Sequence, residues 1–135
     1  MCLITNNPIF QQIDSDLIVY KVCLLESDDS GVPQYKFIAN NKPIEFDVLY
    51  TNKDSLVYLQ NAMGSVTIFS GLFHFFRYES DAEFVSKELS KSSDKQYTVI
   101  KGIIPAHSDF IAGLTYWGSM SVRNSIVSKQ VTFNK

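Results

Sequence analysis

Residues 71–89, GLFHFFRYESDAEFVSKEL, hold the clearest strand-to-helix junction in a chain that otherwise reads as strands. Leu72, His74 and Phe76 alternate with Phe73 and Phe75, the period of a β-strand. Five residues later the period lengthens: Ala82, Val85 and Leu89 fall at i, i+3 and i+7, and Phe84 widens that apolar face. Ser80 and Glu83 have the S-x-x-E spacing of a capping box, which predicts a helix start there. Lys87, Glu88 and Lys91 fall on the wet side. The pattern predicts one main helix over about residues 81–90.

Almost everything else is β-like. Residues 17–25 are apolar on both alternating faces apart from Lys21, the pattern of a central strand covered on both sides. Residues 26–34 form a strong turn cluster. Shorter β runs follow at 35–39, 44–50, 56–59, 66–69, 97–105, 110–112 and 116–122. In 125–133, Val127, Val131 and Phe133 alternate with Ser128, Gln130 and Thr132, which predicts a half-exposed strand at a sheet edge. Residues 1–15, interrupted by Pro8, read as an irregular arm lying on the domain. Nine or ten short strands and one helix, with no linker or repeat, predict a single α+β domain over residues 1–135. The expected architecture is a mostly antiparallel, strongly curved sheet or open β-barrel, with the helix plugging one side.

Composition narrows the function classes. The chain is 45% hydrophobic and 13% aromatic, which supplies a core without disulfides or metal, and its net charge is −2. Its ten lysines are scattered singly and only Arg77 and Arg123 join them, so no basic stripe for generic nucleic-acid binding is expected. No apolar run approaches the roughly 20 residues of a membrane span, and no secretory signal is visible, so a cytoplasmic chain without membrane contact is expected. Cys2 and Cys23 are expected as free thiols.

Candidate chemistry is sparse. The two histidines lie 33 positions apart and the two cysteines 21 apart, giving no metal-ligand spacing and no expected metal or cofactor. Asp28-Asp29 lacks the ladder and terminal Glu of a calcium loop. His74 reads as a buried, hydrogen-bonded structural imidazole. Arg77 and Ser119-Met120-Ser121 could imitate two parts of a mono-ADP-ribosyltransferase site, but all five glutamates fall at or before Glu88, so its late catalytic Glu is missing. His107, Ser108 and Asp109 form a polar turn after a strand; as sequence neighbours they cannot assemble a hydrolytic triad. The only Trp, in Tyr116-Trp117-Gly118, lies close by in sequence. His107, Asp109, Tyr116 and Trp117 are therefore the candidate site for a small-molecule or protein partner.

Val19-Tyr20-Lys21-Val22, Gly71-Leu72-Phe73-His74 ahead of a helix with Asp81-Ala82, and the run from Ile103-Ile104-Pro105 to Gly113 carry a further signal. Together they resemble a family of small proteins of gut bacteria and their phages, whose pattern is G-[LF]-H, then I-I-P-x-x-[ST]. The likeness spans about half the chain. This chain departs from it by Phe73 before His74 and by His107 where a glycine is typical. The resemblance implies no activity, only a mobile-element accessory role. The resulting expectation is a non-enzymatic binding or interaction domain, with homo-oligomerisation left open by the sequence. The alternative is a small enzyme acting on a nucleotide or sugar-like ligand through His107, with Asp109 or His74.

Overall fold

The computed structural model describes residues 3–62, 64–117 and 121–134. In chain order the elements are β1 (Leu3–Thr5), β2 (Leu17–Ser27), β3 (Pro33–Lys36), β4 (Leu49–Thr51), β5 (Val57–Gln60), β6 (Val66–Ser70) and β7 (Phe73–Phe76). After them come α1 (Glu79–Ser92), β8 (Tyr97–Ile104), β9 (Phe110–Trp117), β10 (Ser121–Ser128) and β11 (Gln130–Asn134). All strands join one sheet in the order β4-β11-β8-β2-β7-β10-β9-β1-β6-β5, with β3 attached to β2 as a branch. Every ladder is antiparallel. The expected α+β class and main helix are present, but the strongly curved sheet or open barrel is not. The hydrogen-bonded path stays open, ending at β4 on one side and β5 on the other, and among the described residues no ladder joins those two strands.

Strand β2 is the doubly covered strand its composition predicts. Val19 and Cys23 are buried on one face, and Val22 and Leu24 on the other. On the first face, Phe75, Ile100, Ile104, Ile126, Val131 and Phe133 are buried under Ile44, with Tyr35, Phe37, Phe46 and Tyr50 packed against them. Phe133 is the hub of this layer. Its ring meets Phe37 at 5.8 Å, Tyr50 at 5.7 Å and Phe75 at 6.2 Å, tilted or edge-on as ring quadrupoles favour. No strand runs through 44–48, contrary to expectation. Asp47 takes a positive φ of 61°, and after a single bridge in which the Ile44 amide donates to the Tyr35 carbonyl at 2.8 Å the chain turns so that Ile44 and Phe46 cap the core.

The opposite face carries α1, whose Ala82 and Val85 bury against Val22 and Phe76, with Phe84 and Leu89 packed alongside. This is the face the spacing predicts, but the start is not. The helix begins at Glu79 after Tyr78, and no side chain caps it. The Ser80–Glu83 capping box does not form. The first turn is held instead by Arg123 of β10, which donates to Asp81 Oδ1 at 3.0 Å and lies 4.0 Å over the Phe84 ring.

Two further expectations are corrected. The predicted edge strand 125–133 splits at Lys129 into β10 and β11, each paired on both sides. Ser128, read as an exposed residue, is fully buried, because its Oγ is satisfied by donating to the carbonyls of Asp109 (3.0 Å) or Gln130 (3.1 Å). The N-terminal arm is not wholly irregular: β1 inserts between β6 and β9, with Leu3 fully buried against Ile68, Leu72, Ile111 and Val127. Gly113 makes that insertion feasible. A Cβ there would lie 2.5 Å from the Ile4 carbonyl oxygen and 2.6 Å from a Leu3 methyl. Gly113→Ala should therefore lower the unfolding free energy by about 1–3 kcal/mol, measurable by chemical denaturation, because a backbone oxygen cannot swing aside. An unchanged midpoint would mean that β1 does not occupy this slot.

Candidate functional site

The polar turn and the aromatic pair, neighbours in sequence, are separated in space by β9. From Phe110 to Tyr116 a strand rises about 20 Å, so His107 and Asp109 stand at one end of β9 and Tyr116 at the other. The backbone of Trp117 closes β9, and its side chain lies outside what is described. His107 and Asp109 are not partners either. The His107 imidazole is mostly exposed, with Nδ1 3.8 Å from Asp14 Oδ1, while Asp109 Oδ1 accepts a 2.6 Å hydrogen bond from Gln12 Nε2. His107 N–H donates to the Ile13 carbonyl at 2.8 Å. The turn thus ties down the N-terminal arm, and Gln11 pairs with Phe110 beside it. His107 sits at φ 67°, the left-handed region that a glycine enters without strain.

His74, on β7, differs from this turn in character and makes no hydrogen bond to it. Both of its ring nitrogens are buried without a hydrogen-bond partner, so the expected structural bond is missing. Burial, and then the Lys21 ammonium, lower its pKa from 6.5 to about 4. A neutral imidazole facing Val127 across the β7–β10 ladder therefore acts as an apolar filler. Lys21 has its own structural task. Strand β2 pairs with β7 only at Tyr20–Phe76, and its distal half pairs with β3 from Leu24 onward. In the fork between them, Lys21 Nζ donates to the His74 carbonyl at 3.0 Å and lies 5.5 Å from the Phe75 ring centre. Burial lowers the Lys21 pKa to about 8 and pushes the Cys23 thiol up to about 12. Cys23 is a free, buried thiol; Cys2 lies outside the described residues.

The remaining candidates resolve into structure. Asp28 Oδ1 accepts from Ser30 Oγ (2.7 Å) and from the amides of Ser30 and Val32 (both 2.9 Å), which holds its carboxyl below the usual range and closes a turn. Ser119 and Met120 lie outside the described residues, as does the side chain of Ser121. Among the described residues no three His, Cys, Asp or Glu side chains gather as metal ligands. An open trough of about 630 Å³ draws its lining from both faces of the β2–β8 pair, Tyr20 and Lys101 on one and Tyr35, Phe46 and Ile100 on the other. Its polar groups do not converge on a point.

Tyr116 does belong to a coherent surface. Directly paired residues share a sheet face, and the ladders place Asn124, Leu114, Ile4, Thr67 and Leu59 in one row across β10, β9, β1, β6 and β5. Val122 and Tyr116 make the adjacent pair. Leu59 (58%), Tyr116 (55%), Val122 (48%) and Leu114 (38%) are strongly exposed, whereas Leu3, Ile68 and Thr115, their neighbours on the other face, are buried. A shallow depression of about 330 Å³ opens in this face between Ile4, Leu114 and Tyr116, with Thr5, Asn6 and Ser65 at its margin. Leu59, Leu114 and Val122 escape the sequence reading. The available signal was Val57-Tyr58-Leu59, three consecutive apolar residues in a run with no second element nearby to cover both faces.

No protein-family model, curated protein or solved structure matches the chain.

Two outcomes follow from the histidines. Between pH 6.5 and about 4 the unfolded chain binds a proton at His74 that the folded protein refuses, so stability should fall as pH falls through that window and level off below it. The loss is on the order of 3 kcal/mol, and His74→Leu should flatten this part of a denaturation-versus-pH curve; an unaltered slope would assign it to other groups. His107→Gly should raise the thermal midpoint, by the equivalent of up to about 1 kcal/mol, as left-handed strain is relieved. A lower midpoint would show that the imidazole contributes more than its backbone costs.

Proposed function

We propose that the protein is a non-enzymatic binding module that engages a partner through the open face of β10, β9, β1, β6 and β5, centred on Tyr116 and Leu114. The observation that carries this reading is the exposed apolar row itself. Four large apolar side chains stand exposed on this face around a shallow depression, while Leu3, Ile68, Thr115 and Val127 on the reverse side of β1, β6, β9 and β10 are buried. Contiguous exposed apolar surface ringed by polar residues is the usual form of an interaction site. Here Asn124, Thr67, Asn6 and Ser65 supply the polar rim, and a Tyr with an exposed ring is a favoured anchor. The alternative of catalysis through His107 gains no support, because Asp109 and His74 do not join it. The accessory role implied by the motif resemblance, in a cytoplasmic setting, goes with the binding reading but adds no residue to it.

Tyr116→Glu and Leu114→Glu change exposed positions and should leave folding stability within about 0.5 kcal/mol of the parent. Each should abolish quantitative co-isolation of a specific partner from the native cell, whereas His107→Ala, at the far end of β9, should not. Equal recovery of the same partner by all three variants would remove this face as the binding surface.

A further inference from the structure

The end of the sheet beside this face is itself unfinished. Strand β5 is the last strand of the path and, among the described residues, pairs with β6 alone. All four of its residues are exposed, with Val57 at 50%, Tyr58 at 60% and Leu59 at 58%. Natural sheets blunt such edges with lysine, proline or a covering segment, and Val57-Tyr58-Leu59-Gln60 carries neither a charge nor a proline.

The hairpin geometry tells which backbone groups are vacant. Asn61 N–H donates inward to the Ser65 carbonyl at 2.8 Å, and the Asn61 carbonyl accepts from Gly64 at 3.0 Å. Strand backbone groups alternate in direction, so Leu59 also turns toward β6, while Tyr58 and Gln60 present their N–H and C=O groups outward. We propose that β5 pairs with β5 of a second copy of this chain, antiparallel about a two-fold axis through Leu59. In that register Tyr58 of each copy exchanges hydrogen bonds with Gln60 of the other, so all four outward groups on each strand are satisfied. Leu59 meets Leu59 as a closely spaced, non-hydrogen-bonded pair.

Self-pairing rather than a foreign strand is favoured by complementarity. Strand β5 carries no charged side chain, so its symmetry mate meets it without like-charge repulsion, and the chain's net charge of −2 adds little. The axis stands perpendicular to the sheet, so both copies present the same face on the same side. The row of Leu114, Ile4, Thr67 and Leu59 then continues without a break into its symmetry mate. The apolar surface closed is small, well under that of a standard interface, so the dimer is weak and concentration-dependent. This inference goes beyond the binding reading and stands on the edge rather than on Tyr116.

Sedimentation velocity over a micromolar to millimolar series should show the mass rising from that of one 15.3 kDa chain toward twice it. Tyr58→Lys, which puts a charge on the edge, should hold the protein monomeric with an unchanged circular dichroism spectrum. In a Cys2→Ser background, Leu59→Cys should cross-link to a covalent dimer under mild oxidation, whereas Thr67→Cys, one strand inward on the same face, should not. A chain that stays monomeric throughout, or cross-links equally at both positions, would overturn the proposal and leave the edge to a strand of another protein. The two readings fail separately: Tyr58→Lys tests the dimer, and Tyr116→Glu tests the partner.

Discussion

A fourteen-residue helix is about 21 Å long, and among the described residues it is the only helix available to an eleven-stranded sheet. That shortage of cover shapes the molecule. The helix lies on β2, β7 and β8, clamped at its first turn by Arg123. The other face of the same strands is sealed by the segment around Ile44 and Phe46, turned inward at Asp47; the Phe46 ring meets Tyr35 edge-on at 5.4 Å, and the Asp47 amide donates to the Phe133 carbonyl at 2.9 Å. Toward β5 the supply runs out. Leu56 and Leu72 pack against the cluster of Ile68 and Leu3 on one side, and among the described residues Leu114, Tyr116 and Leu59 on the other stay exposed. The candidate site is what remains when the available cover has been used.

The same economy governs the polar residues inside. Strand β2 meets β7 at Tyr20 and β3 from Leu24 onward, and a sheet that forks leaves backbone groups without a ladder partner. Lys21 answers this by spanning the gap to the His74 carbonyl, at the cost of holding an ammonium group in a poorly solvated place. His74, beside it, is neutral and unbonded. A lysine with a lowered pKa, a buried histidine and a buried cysteine in one neighbourhood have the residue types of an active centre, yet each one's surroundings point to packing, and neither the open trough nor the shallow depression is lined by them.

Much of this was legible in the sequence where local pattern and burial coincide. Apolar residues on both faces of 17–25 could belong only to a doubly covered strand, and the spacing of Ala82, Val85 and Leu89 identified the buried helix face. Failures came where a distant residue overrode a local rule. Ser80 and Glu83 have capping spacing, but the helix starts two residues earlier, after Tyr78, and Arg123, 42 positions beyond Asp81, holds its first turn. Ser128 looked solvent-facing until the Asp109 carbonyl supplied its partner. Curvature was inferred from the number of short strands, and strand number does not determine whether the two ends pair. The site was half legible. Tyr116 stood out as an exposed-anchor type, but nearness in sequence grouped it with His107, and a strand between two residues is a spacer. Leu59 and Ile4 join Tyr116 only through ladders that no local pattern encodes.

The place of β1 has a kinetic consequence. Its three residues fill a slot whose walls, β6 and β9, come from Ile68 and Leu114, some sixty and more than one hundred positions downstream. Closing loops of that length precedes any gain from the contacts they create, so formation of this region belongs to the slow, high-contact-order class, and β1 has no local nucleus of its own. Until it docks, β6 and β9 each carry a bare edge flanked by apolar side chains. The population most exposed to misassembly is therefore the nearly folded chain with an empty slot, and its lifetime is set by the arrival of a three-residue strand.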